Sequence, residues 1–176
     1  MKQIRLSLFI IAIAIALNSA PATTVIQPSF DELVDEAQLI FQGTVTDVQC
    51  QWVGEGSQRR IESLVTFRIE DAIKGKPGDT YTLRMLGGTI DGETIGIADA
   101  PTFKKDDRDI LFVENNGTQF IPLVGIMYGR IRVQQDAATG RDLVTSNTGE
   151  PVGGVVGLGA TEFKTAIRAK LAVPAR

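Results

Sequence analysis

A chain of 176 residues without a single histidine cannot run Ser-His-Asp or Cys-His catalysis, hold a histidine-ligated zinc or use the commonest general base. Its one cysteine, Cys50, excludes an intramolecular disulfide, so stability has to come from a hydrophobic core. The net charge is −3, from 18 basic and 21 acidic residues, and no basic stripe argues for nucleic acid.

Residues 1–22 read as an export signal. Lys2 and Arg5 form a basic n-region, and residues 6–17 form an apolar run too short to span a bilayer comfortably. Ala20-Pro21-Ala22 supplies a small-residue cleavage pattern. Cleavage after Ala20 would leave Pro21 first, so cleavage after Ala22 is expected, with Thr23 as the mature amino terminus. An uncleaved amino-terminal anchor is the alternative. Losing Lys2 and Arg5 moves the net charge from −3 to −5. Residues 23–176 are expected to form one exported β-rich domain, periplasmic or extracellular, with no later membrane span.

Ser29-Phe30-Asp31-Glu32 is a capping box, and Leu33, Val34 and Ala37 then predict a short amphipathic helix over 30–37. "LIFQGTVTDVQCQW" (39–52) is rich in β-branched and aromatic residues and predicts a long strand, with a bulge or bend at Gly43. Cys50 in it reads as a small buried apolar side chain, with a reactive thiol as the alternative. Trp52 reads as a core or rim residue or as a ligand-stacking one. The polar segment 53–60 predicts an exposed loop.

Val65, Phe67 and Ile69 alternate with Thr66, Arg68 and Glu70, which predicts a strand with one wet face. Tyr81, Leu83 and Met85 repeat that pattern. Asp91-Gly92 predicts a hairpin between Ile90 and Ile95. "RDILFVENNGTQFIPLV" predicts a second, turning at Asn115-Asn116-Gly117, and "GRIRVQQDAATGRDLVTS" a third, turning near 137–140. Thr161 is expected to cap a final helix over 161–172, with Phe163, Ala166, Ile167 and Leu171 on its apolar stripe. Seven or eight short strands between two helices predict a mainly antiparallel barrel or sandwich, with the barrel-like part over 36–145.

Four stretches offer chemistry. Asp106, Asp107 and Asp109 could bind a cation, but Lys104, Lys105 and Arg108 offset their charge and a solvated turn also explains the run. Asp91, Glu93 and Asp99 are the carboxylates available for glycoside hydrolysis. "GGVVGLGAT" (153–161) has phosphate-loop glycine spacing at Gly154 and Gly159, but Ala160 stands where the lysine belongs, and a loop into the last helix is the plainer reading. Asn116-Gly117-Thr118 is a glycosylation sequon as well as a turn. None of these outweighs its structural explanation, so no catalytic residue and no cofactor is expected, and a non-enzymatic binding or structural module is.

"EAQLIFQGTVTDV", "VTFRIEDAIKG", "DTYTLRML" and "FKKDDRDILFV", spread over residues 36–124, are similar to the barrel strands of the netrin-like modules, the OB-type fold of the tissue inhibitors of metalloproteinases. The resemblance implies an OB-like barrel and an extracellular zinc metalloprotease as partner. In those inhibitors the mature chain begins Cys-Thr-Cys-Val-Pro. The free α-amine and first carbonyl chelate the protease zinc, and the second side chain enters the specificity pocket. Here Thr23 would supply amine and carbonyl, Thr24 would fill the pocket, and Val25 and Ile26 would complete the contact. Thr23 and Val25 stand where the family has its clamping cysteines, so ordering four residues would cost ~1–2 kcal/mol each on binding. A terminus without a role, on a structural or envelope-associated protein, is the alternative. A carboxylate-dependent hydrolase ranks last.

Overall fold

A computed structural model describes residues 26–173. Helix α1 (Phe30–Glu36) opens the fold and α2 (Ala160–Leu171) closes it. Between them run β1 (Leu39–Val53), β2 (Arg60–Lys74), β3 (Thr80–Leu86), β4 (Gly88–Ile90), β5 (Glu93–Ile95), β6 (Arg108–Val113), β7 (Arg130–Gln135) and β8 (Asp142–Ser146). Six strands form one antiparallel sheet in the order β3-β2-β1-β6-β7-β8, and β4 and β5 pair separately. The fold is mainly β, as expected. The sheet ends at β3 and β8, which do not pair, so the described residues form an open sheet and not a closed barrel.

Side-chain alternation divides the interior into two cores, one on each face of the sheet. Ile40, Ile110, Phe112, Ile131, Val133 and Val144 point toward the helices and pack on Val34, Phe163 and Ile167. Phe41, Val45, Phe67, Leu83, Leu111 and Val113 point the other way and are covered by Ile121, Leu123 and the partly buried Ile97, Phe103 and Ile126. β1 and β6 therefore feed both cores, β2 and β3 mainly the second, β7 and β8 the first. Three register shifts in the β1–β2 ladder, one at Gly43, bend this long ribbon. A Cβ at Gly43 would come 2.9 Å from the Arg68 carbonyl oxygen, which is why glycine sits at the bulge.

Helix α1 has only seven residues, too few to be stable alone, and is held at both ends. The capping box is complete: Glu32 N–H donates to Ser29 Oγ at 3.2 Å and Ser29 N–H to Glu32 Oε2 at 2.7 Å. At the other end Lys74 Nζ donates to the carbonyls of Val34 and Asp35, at 2.8 and 3.1 Å, satisfying orphan acceptors at the negative end of the helix dipole. Lys170 on α2 pairs with Asp31 and Asp35, tying the two helices together.

Three local expectations are corrected. Thr161 does not cap α2; Gly159 is the N-cap, and Thr161 lies one residue inside the helix. The hairpin that turns at Asn115–Gly117 has no regular return strand. Only Leu123 bridges back to Val113, and Pro122 brings no N–H for a ladder. Cys50 is half-buried, with its Sγ 3.4 Å from Ser63 Oγ, and not a core residue.

The missing return strand is used elsewhere. Asn116 Oδ1 accepts from Arg84 N–H at 2.9 Å, its Nδ2 donates to the Thr82 carbonyl and the Tyr81 hydroxyl at 2.9 Å each, and Leu86 N–H donates to the Phe120 carbonyl at 2.7 Å. The side chain of Asn116 thus stands in for a strand along the outer edge of β3. A glycan on Nδ2 would have to displace one of its two acceptors, so the turn reading of the sequon fits the folded state. Replacing Asn116 by Ala leaves the edge groups of Thr82 and Arg84 unpaired. A loss of about 1–3 kcal/mol in urea unfolding is expected, and a loss below a few tenths of that would refute the edge-lock role.

Candidate functional site

The mature start is the first candidate. Thr23, Thr24 and Val25 lie outside the described residues. Ile26, the fourth predicted contact residue, is 87% exposed. Two residues on, Pro28 is seated firmly: a Cβ on Gly125 would come within 3.0 Å of the proline ring and 3.3 Å of the Tyr128 ring. The loop that forms this seat carries consecutive left-handed residues, Gly125 at φ 60° and Ile126 at φ 59°, and the second is a costly conformation for a β-branched side chain. Beside the seat runs a groove of about 330 Å³ lined by Pro28, Phe30, Tyr128, Val152, Leu158 and Phe163. Val155, half-exposed, lines it too, and Val156, 84% exposed, follows it in the chain. Phe30 belongs to the capping box and Val155 and Leu158 to the glycine-rich segment, but neither motif signals a groove. The lining residues meet because α1, α2 and the 147–158 loop converge on β7 and β8.

The second candidate was hidden in the acidic run. Asp106 is exposed, but Asp107 is half-buried and Asp109 fully buried, so the solvated-turn reading fails for these two. The cation they hold is the chain's own Arg130. Its Nε and Nη2 donate to the two oxygens of Asp109 at 2.9 and 3.1 Å, and Nη2 also donates to Asp107 Oδ2 at 2.9 Å. Nη1 donates to the Thr102 carbonyl at 2.7 Å and reaches Asn147 Oδ1 at 3.4 Å. The guanidinium lies over the Phe103 ring, 4.2 Å from its centroid. Burial pushes the Asp109 carboxyl above the usual carboxylate range, and the charge and hydrogen bonds of Arg130 oppose that push. Every donor of Arg130 is used, so this residue braces the 100–107 loop against β7 and is not itself free to bind a ligand. Among the described residues no group of three or more Asp, Glu or Cys side chains is arranged to hold a metal ion.

The remaining candidates are dispersed. Asp91, Glu93 and Asp99 are exposed on or beside the β4–β5 hairpin, whose turn has Asp91 at φ 50° and Gly92 at φ 83°. In the glycine-rich segment the amino end of α2 is already covered by an anion of the chain. Glu162 Oε2 fills the space that a Gly159 side chain would need, and its Oε1 accepts from Arg141 at 3.0 Å. Trp52 is half-buried at the rim, with the Arg59 guanidinium 3.8 Å from its ring centroid. Arg130 and Arg132 escaped the sequence reading, although "RIRV" shows the signal: two cations alternating with Ile131 and Val133 on a strand.

No family model, curated protein or solved structure matches the chain. Among the described residues no helix is long and apolar enough to cross a membrane.

Removing Arg130 leaves the buried Asp109 charge without a partner. Arg130→Met is expected to cost about 3–5 kcal/mol in chemical denaturation, and Arg130→Met with Asp109→Leu is expected to recover part of it. A single variant as stable as wild type would refute the bracing role. Two ion-paired carboxylates, the buried Glu62 and the half-buried Asp142, carry a pH signature. Hydrogen bonding from Arg84 holds Glu62 below its ordinary value, and Arg108 does the same for Asp142. Both fold more favourably when ionised. Their contribution is full above the unfolded carboxylate values and lost as pH falls through the lower folded ones, so stability should decline below about pH 4. Glu62→Gln should flatten that decline in melting temperature against pH, and an unchanged slope would exclude Glu62 as a source.

Proposed function

We propose that the protein is an exported, non-enzymatic binding module with an OB-like strand arrangement that acts on an extracellular zinc metalloprotease through its mature amino terminus. Export and cleavage after Ala22 are part of this proposal. The observation that carries it is the entry of the chain: an exposed Ile26 followed by a tightly seated Pro28 and a completed capping box. A terminus that starts five residues before a fixed anchor needs few residues ordered on binding, which limits the entropic cost left by the absent cysteine clamp. A terminal α-amine with a pKa near ~8 is partly neutral at physiological pH and can donate to a metal. Thr23 supplies that amine, Thr24 the pocket-filling side chain, and Val25 and Ile26 the flanking contacts. The apolar groove beside Pro28 offers the protease a second contact.

The test compares the mature protein beginning at Thr23 with a version carrying one additional Ala in front. Both are titrated against secreted zinc proteases while peptide cleavage is followed. Inhibition by the Thr23 form, lost on extension, is expected. Equal inhibition by both, or by neither, would overturn the amino-terminal mechanism. Inhibition by neither would leave a structural or envelope-associated role.

A further inference from the structure

On β7 the side chains of Ile131 and Val133 enter the helix-side core, which places Arg130 and Arg132 together on the opposite face. On that face the apolar cover at β7 is limited to the 100–107 loop, with the Phe103 ring over Arg130. A polar cleft of about 300 Å³ opens there, bounded by the 100–107 loop and by Asn147. Its floor is the saturated Arg130 network. Once that network is formed, the lining groups left uncommitted are mostly donors.

Arg132 and Lys104 both line the cleft, and among the described residues neither forms an ion pair. Asn147 uses its Oδ1 on Arg130, which leaves its Nδ2 donors available. Asp107 is the one anionic side chain on the wall, and its Oδ2 already accepts from Arg130 Nη2 and from the Lys104 backbone N–H. Lys104, Arg130 and Arg132 bring three positive charges to the cleft and its floor, while Asp107 and Asp109 bring two negative ones. A surplus positive charge in a concave, partly desolvated site with converging donors is matched by an anion that accepts several hydrogen bonds. We infer that this cleft binds a small oxyanion, a carboxylate or a phosphate group, held by Arg132 and Lys104 with Asn147 as a neutral donor.

The planar guanidinium of Arg132 can take two oxygens at once, and the Lys104 ammonium, on an exposed and flexible stem, closes on a third side. Arg130 contributes by fixing the shape of the loop through the Thr102 carbonyl and the Phe103 ring, not by binding the ligand. The cleft shares only Arg130 with the lining of the apolar groove, and Lys104, Arg132 and Asn147 lie outside that groove. Extension of the amino terminus should therefore leave anion binding unchanged, whatever its effect on a protease.

The test titrates the mature protein with sodium phosphate and, separately, sodium acetate, at an ionic strength held constant with sodium chloride. Backbone amide shifts and melting temperature are followed. Saturable shifts are expected at residues 102–107, 130–133 and 147 with at least one of the two anions. Saturation by phosphate alone assigns a phosphate ligand, and by acetate alone a carboxylate. Arg132→Gln and Lys104→Gln should each weaken the affinity by about tenfold. Lys105→Gln, outside the lining, should leave it unchanged. Lys104 is exposed, so its variant keeps the fold if the Arg132 variant does not. The inference is overturned if neither anion gives a saturable response, or if Lys104→Gln binds as wild type does.

Discussion

A carboxylate buried in the middle of the sheet organises much of this molecule. β6 is buried along nearly its whole length because both of its faces feed a core, and Asp109 lies inside that strand. An isolated buried carboxylate is untenable, so a partner has to reach it. Arg130 does so from the neighbouring strand, and a buried guanidinium in turn needs acceptors for all its donors. Asp107, the Thr102 carbonyl and Asn147 supply them, which fixes the course of the 100–107 loop over the second core. One buried charge thus determines the position of a loop with no regular secondary structure, and with it the shape of the cleft above β7.

A second set of contacts is organised around the entry of the chain. The first helix is too short to persist by itself, yet its amino end is capped by its own Ser29 and Glu32, its carbonyl end by Lys74, and its outer face by Lys170. Gly75 follows Lys74 at φ 77°, with no room for a side chain beside Leu39. The Lys-Gly pair therefore acts in two ways. Its lysine closes a helix from 40 residues earlier, and its glycine lets the strand turn away. With Pro28 seated on the 124–129 loop, residues immediately before it leave from a defined point. That geometry holds the first helix in place.

Both edges of the sheet are covered. Asn116 and the Phe120 carbonyl occupy the outer groups of β3, and the bridges of Leu143 to Gly159 and Thr145 to Pro151 shield β8. Strand addition at an edge is therefore disfavoured without rearrangement, and the apolar groove and the polar cleft are two concave surfaces that remain open. The two differ in chemistry, one lined mainly by apolar side chains and the other by polar ones, and they share only Arg130.

The amino-acid sequence by itself determined the local elements. The capping box, the strand alternation in β2 and β3 and the Asp91-Gly92 turn were all legible, because each depends on residues a few positions apart whose backbone and side-chain preferences agree. It misled where a local pattern had a distant competitor: the residues after Asn115 read as a return strand but leave to cover β3. Only the tertiary structure decided that Asp109 is buried while Asp106 is wet, that Arg130 is its counter-ion 21 residues away, and that Arg132 faces a cleft. It also decided that the sheet stays open. The reason is physical: burial, ion pairing and edge coverage depend on which strands become neighbours, and neighbours here come from segments far apart in the chain.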